Sequence, residues 1–258
     1  MSHRKHEPLR KVVPMLEVRD LYKSFGSVRV IDRISLSVPA GQRHAIIGPN
    51  GAGKTTLFHL FSGHYKPDHG QIVFDGQRIA GLSPHRINRL GLARSFQITN
   101  IFPGLTVHEN VRAVVLSKHR IRYDFLRSVE RMDGINRETV KILDSIGLKN
   151  KAGRLAGELA YGEQRALEIG LTLASDPKLI LLDEPTAGMS IDETREAVRL
   201  IDQVTRGKTL IVIEHDMEVV FSLADIITVI HYGKVLASGP PEEIRGHPAV
   251  KEAYLGGH

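Results

Sequence analysis

The chain has 258 residues, a net charge of +6, 41% apolar and 25% charged residues, and no cysteine. That length suits one large core with an insertion rather than two large domains, and the lack of cysteine excludes a disulfide framework or a thiolate metal site. No apolar stretch is long enough to cross a bilayer, and the polar start Ser2-His3-Arg4-Lys5-His6 has no signal-peptide segment behind it, so a cytoplasmic protein is expected.

Residues 1–14 are expected to form a frayed, flexible tail. Leu16–Leu21 and Ile34–Val38 alternate apolar and polar residues, which predicts strands with one buried face, paired antiparallel. Between them, Phe25-Gly26 sets an aromatic at a turn, where it can stack on a purine base or plug a sheet edge. After the break at Pro39-Ala40-Gly41, the apolar run Ala45-Ile46-Ile47 leads into Gly48-Pro49-Asn50-Gly51-Ala52-Gly53-Lys54-Thr55-Thr56. This spacing between a strand and a helix is a phosphate-cradling P-loop. Its glycines let successive backbone N–H groups turn inward, and the helix from Lys54 to about Ser62 aims its positive end at the same point. Lys54 is placed to reach the β- and γ-phosphates and Thr55 to join a Mg²⁺ shell.

Gln71–Phe74 and Arg78-Ile79 flank Asp75-Gly76, a hairpin signal. Ser83-Pro84 starts a helix that buries Ile87 and Leu90 and stops at Gly91. Leu92–Phe96 returns as a strand ending at Gln97. From Gln97 to about Gly157 the pattern turns helical: Thr106 and Glu109 form a capping box ahead of Val107, Val111, Val114 and Val115. The charged run Lys118–Arg131 mixes Arg120, Arg122 and Arg127 with Tyr123 and Phe125, and without a groove-reading motif it reads as a solvated segment rather than a nucleic-acid surface. Asn136–Ile146 is expected to be a helix with Val140, Leu143 and Ile146 inward.

A further helix follows Leu159-Ala160-Tyr161-Gly162, burying Ala166, Ile169, Gly170 and Leu173. Leu179–Leu182 is wholly apolar, as a central parallel strand must be, and ends in Asp183-Glu184. Carboxylates at such a strand end lie where α/β sheets hold ligands; Asp183 can hold Mg²⁺ through water and Glu184 can polarise an attacking water. Thr209–Glu214 predicts a second central strand, which delivers His215 toward the γ-phosphate.

Taken together, the P-loop, Gln97, the Leu159–Gln164 segment, the Leu179–Glu184 strand and Glu214-His215-Asp216 resemble an ABC transporter ATPase subunit from about Leu16 to Leu255. Gly91–Gln97, Phe102–Val107, Glu214–Met217 and Glu252–Gly256 are similar, more narrowly, to the ATP-binding subunits of branched-chain amino-acid importers; importers of urea, short amides or other amino acids carry similar ATPases. The resemblance implies a P-loop NTPase (RecA-like) α/β core with an antiparallel β subdomain, residues 15–96 and 165–258, and a helical signature-motif subdomain, residues 97–164. It further implies ATP and Mg²⁺, a second ATPase subunit, two membrane permeases, an extracytoplasmic solute-binding protein and a place on the inner face of the membrane, with no nucleic acid. In such a protein Gln97 senses the γ-phosphate and joins the Mg²⁺ site, Leu159–Glu163 is the signature that completes the partner's ATP site, His215 is the switch histidine and Phe25 stacks on the base. Ala160 replaces the usual signature serine, Glu163 brings a negative charge to that motif, and Ser190 stands where aspartate is common, doubling as a helix cap with Glu193. A soluble ABC ATPase acting on nucleic acid would carry two ATPase units or a long coiled coil, which this chain lacks, and a GTPase would carry an Asn-Lys-x-Asp segment.

Overall fold

The computed structural model describes residues 13–95, 101–121 and 132–255. Alternating strands β1 (Pro14–Phe25) and β2 (Val28–Pro39) pair antiparallel, and β1 also pairs with β4 (His69–Phe74), which turns through Asp75-Gly76 into β5 (Gln77–Arg78). This gives a four-stranded sheet in the order β2-β1-β4-β5. The second sheet holds β3 (Arg43–Ile47), β6 (Leu92–Arg94), β7 (Leu179–Asp183), β8 (Thr209–Ile213), β9 (Ile226–His231) and β10 (Lys234–Gly239), in the order β10-β9-β3-β8-β7-β6. Every residue of β7 and β8 is buried, because both faces of these parallel strands are covered.

One face packs with the first sheet and with α1 (Lys54–Phe61), joining Leu57, Phe58 and Phe61 to Leu179, Leu181 and Ile213. The other packs under α6 (Ile191–Val204) and α7 (Met217–Leu223), joining Ile201 and Val220 to Ile180, Leu182 and Val212. Helix α2 (Pro84–Leu90) leads into β6, and α8 (Pro241–Gly246) and α9 (Pro248–Leu255) close the described chain. A third cluster lies among α3 (Val107–Lys118), α4 (Asp133–Ser145) and α5 (Tyr161–Ala174). Among the described residues no helix is long and apolar enough to cross a membrane.

Three expectations change. Val140 is exposed, because α4 begins at Asp133 and its inward stripe runs Ile135, Thr139, Leu143 and then Ile146 beyond its end, the i, i+4, i+8 spacing that turns Val140 outward. Helix α5 has more than one buried face: Leu167 and Ala174 enter the helical cluster while Ile169 enters the sheet core. Strand β6 stops at Arg94, and Phe96, Gln97 and the run 122–131 lie outside the described residues.

Candidate functional site

The P-loop leaves β3 and enters α1 with glycine where no side chain fits. At Gly48, φ is 154° and a Cβ would lie 2.1 Å from the Ile230 carbonyl oxygen; at Gly53, φ is 105° and a Cβ would lie 2.8 Å from Ile31 Cδ1. Pro49, Asn50 and Gly51 form the outer curve, and Ala52 is buried beneath it. Lys54 is buried and turns back over the loop, donating to the carbonyls of Gly48 at 2.7 Å and Pro49 at 3.0 Å. Burial draws its ammonium below the ordinary lysine value, against the opposing pull of Glu184 and Asp183. Thr55 is exposed at the helix start and Thr56 half-buried. Phe25 sits at the β1–β2 turn, 43% exposed, with Tyr65 edge-on at 5.2 Å and Lys23 Nζ 5.4 Å from its ring centre.

Because β8 lies between β3 and β7, the segment after β8 emerges between the P-loop and Asp183-Glu184. Glu184 adopts a left-handed backbone, φ 47°, which costs a non-glycine residue about 1–2 kcal/mol and is held by its N–H on the Ile213 carbonyl at 2.9 Å. Its Oε1 accepts from His215 Nε2 at 2.8 Å. Glu214 is buried: one oxygen accepts from Thr186 N at 2.9 Å and Thr186 Oγ1 at 2.7 Å, the other from His215 N at 3.1 Å. One carboxylate thus ties the loop after β7 to the end of β8. Sequence reasoning missed this clamp, for which the signal was a charged residue closing an otherwise apolar strand.

Asp183 is buried, and burial raises its carboxyl pKa against the opposing charge of Arg94. Arg94 Nη2 donates to its Oδ2 at 2.7 Å, whereas Oδ1 has no hydrogen-bond partner. A Mg²⁺ ion is held by one or two carboxylates together with substrate phosphates rather than by an all-protein cage. An unpartnered carboxylate oxygen on a strand end whose charge is felt by the P-loop Lys54 fits that donor set. Gln97, the third residue assigned to this ion, lies outside the described residues.

Leu159, buried, ends a 3-10 turn, Ala156–Glu158, and the exposed Ala160 takes the N-cap position of α5, so Tyr161 and Gly162 belong to the helix rather than precede it. Glu163 reaches back to the Ala160 N–H at 3.2 Å and pairs with Lys151, which holds its carboxyl below the usual range. The negative charge at this motif is therefore neutralised within the chain, and one helix-start N–H is already taken. Tyr161 donates its hydroxyl to the Ala187 carbonyl at 2.8 Å, and the cleft around Ala160, Gly162 and Glu163 is lined from α4, α5, α6 and Met189, with no P-loop residue. Ser190 caps α6 reciprocally with Glu193.

The family model described as ABC transporter matches residues 31–187, and the model described as branched-chain amino acid ATP-binding cassette transporter matches residues 234–258. The chain is 39% identical over 253 residues to the high-affinity branched-chain amino acid transport ATP-binding protein BraF of Pseudomonas aeruginosa, covering 94% of this chain and 98% of that one. It is 37% identical over 252 residues to the corresponding protein LivG of Escherichia coli, with the same coverage. Among solved structures, an ATP-binding cassette of an ABC transporter in its ADP conformation superposes with a TM-score of 0.82 at 28% identity, covering 95% of this chain and 99% of that one. A dimeric cassette bound to ADP and phosphate shares the fold at 23% identity and a TM-score of 0.75, covering 88% of this chain and 99% of that one.

Proposed function

The chain belongs to the ABC transporter family and is an ATPase of that family, and we propose that it powers uptake of branched-chain amino acids as the ATP-binding subunit of a membrane importer. The convergence of Lys54, Asp183, Glu184 and His215 at neighbouring strand ends carries the catalytic part of this reading. The solute rests on the names of the relatives and on the match over residues 234–258.

In this reading ATP lies with its base on Phe25 and its phosphates in the Gly48–Thr56 loop, where backbone N–H groups and the N-terminus of α1 meet the negative charge. Lys54 leaves the Gly48 and Pro49 carbonyls for the β- and γ-phosphates. Thr55, Asp183 and Gln97 would hold Mg²⁺, which would supply charge neutralisation to the phosphates. Glu184 takes a proton from the water that attacks the γ-phosphorus, and the bridging oxygen leaves with ADP. His215 holds the Glu184 carboxylate and faces the γ-phosphate. In this reading Leu159–Glu163 serves the ATP site of a second ATPase subunit, as each P-loop is served by its partner; the cleft around the motif, which no P-loop residue lines, supports this. Two permeases and an extracytoplasmic solute-binding protein complete the importer, with this chain peripheral on the cytoplasmic face and nucleic acid playing no part. In this reading the chain has a core (15–96 and 165–258, its first strand beginning one residue earlier at Pro14) and a helical lobe (97–164), with α5 packing into both.

Reconstitution with the permeases and binding protein tests the reading. ATPase stimulation by leucine and its branched relatives is expected, and stimulation by urea or short amides alone would move the solute while leaving the chemistry in place. Salt-sensitive RNA or DNA binding without permease copurification would overturn the importer assignment.

A further inference from the structure

Arg94 ends the edge strand β6, a short element in which a buried charge has no local reason to occur. Its register partner on β7 is Leu181, and Leu181 and Asp183 point to the same face of that strand, the one covered by α1. The guanidinium is thereby placed beneath the P-loop helix, with its side chain only 5% exposed.

Its contacts divide in two. Nη2 donates to Asp183 Oδ2 at 2.7 Å, while Nη1 donates to Ser62 Oγ at 3.2 Å and to His59 Nδ1 at 3.1 Å, and Cζ lies 5.6 Å from the Phe58 ring centre. Ser62 Oγ in turn donates to the Phe58 carbonyl at 2.6 Å, so the end of α1 is itself fixed. A guanidinium is planar and rigid, so anchors on one edge set the direction of the other. The Asp183 carboxylate meets this fork through one oxygen only, and Oδ1 stays without a hydrogen-bond partner.

We infer that Arg94 is a positioning residue for the ATPase reaction: it fixes the plane of the Asp183 carboxylate against the end of the P-loop helix, reserving Oδ1 for the Mg²⁺ that accompanies ATP. The inference rests on the Mg²⁺ role proposed above for Asp183. It also explains why a charge occupies this buried position, since an apolar residue would fill the space but leave the Asp183 anion unpaired and free to turn.

The test uses the full chain and a fluorescent ATP analogue, titrated at stepped Mg²⁺ concentrations and in EDTA. Arg94→Met is expected to raise the Mg²⁺ concentration for half-maximal tightening of nucleotide by about 10–100-fold, the usual cost of removing a group that orients a metal ligand. Binding in EDTA should stay within about twofold, since backbone N–H groups carry it. Arg94→Lys, which keeps the charge but not the fork, should shift the Mg²⁺ requirement less and serves as the readout if the methionine variant fails to fold. An unchanged Mg²⁺ requirement, or equal losses with and without Mg²⁺, overturns the inference. Asp183→Asn separates the two claims: if it leaves the Mg²⁺ requirement unchanged, the role of Asp183 falls, whereas a shift in Asp183→Asn without one in Arg94→Met removes Arg94 alone.

Discussion

The strand-end half of the proposed ATP site and the signature segment are held in place in opposite ways. Asp183, Glu184 and His215 stand at or just beyond the ends of β7 and β8, and Lys54 opens α1 behind the loop that leaves β3, so the buried parallel ladders of these strands fix their positions. Ala160–Glu163 instead opens a helix, with Ala160 and Tyr161 exposed and the local order supplied by capping. Sheet-borne groups depend on partners far away in the chain, so exchanging one residue strands another. The cap itself depends on a neighbour three residues away, Glu163 on the Ala160 N–H, with Lys151 and Ala187 as the segment's longer-range partners.

The largest expected effect falls in the sheet-borne half. Glu184→Gln should leave nucleotide binding intact and lower phosphate release by on the order of 10²–10⁴, the usual contribution of a general base. Equal turnover in this variant would remove Glu184 from the chemistry and weaken the contrast at its centre.

Stability should divide along the same line. Glu214→Leu strands the buried Thr186 N–H and hydroxyl and the part-buried His215 N–H, costing about 3 kcal/mol, or a fall in Tm of roughly 6–12 °C for a chain of this size. Glu163→Leu breaks a half-exposed pair with Lys151 and should cost less than about 1 kcal/mol. Equal losses in urea unfolding would show that the two halves are built alike.

Acid sensitivity belongs to the sheet as well. His44 in β3 is buried, with Nε2 on Thr228 Oγ1 at 2.8 Å, and burial pushes its pKa down to about 4. The folded value lies below the unfolded one, so the unfolded chain binds the extra proton as pH falls. Stability is complete above the unfolded value of about 6.5 and declines toward pH 4, by about 2 kcal/mol between pH 7.5 and 5. His44→Gln should flatten that decline in urea unfolding at the two pH values; an unchanged slope would move the acid sensitivity elsewhere.

Much of this was legible in the sequence because its signals are local. Gly48–Thr56, the apolar runs of β7 and β8 and the caps at Thr106 and Ser190 each involve residues close together, and these elements stand where their patterns predict. The contacts that hold the strand ends are not local: Arg94 meets Asp183 across 89 positions and Glu214 meets Thr186 across 28. Periodicity carries no information on such pairs. Val140 was misread for a related reason, since a helix start displaced by three residues rotates the choice of inward stripe.

A small predicted effect, of opposite sign, probes the signature directly. Ala160 already has the extended N-cap conformation, φ −60° and ψ 156°, and Glu163 already returns its carboxylate to the Ala160 N–H. Only the other half of the capping box is missing, because alanine offers no oxygen to the Glu163 N–H. Ala160→Ser supplies one without moving the backbone, and should add about 1 kcal/mol of stability, seen as a rise in Tm of roughly 2–4 °C. If Tm rises while ATP turnover in the assembled importer stays constant, the hydroxyl acts on the helix alone. If turnover rises with it, the serine also reaches the partner's phosphate, and the cap-borne half is less complete in this chain than its internal hydrogen bonds suggest. No rise in Tm would mean that the Glu163 and Lys151 contacts already satisfy the start of α5, making the local design of this segment more self-sufficient than the contrast with the strand ends requires.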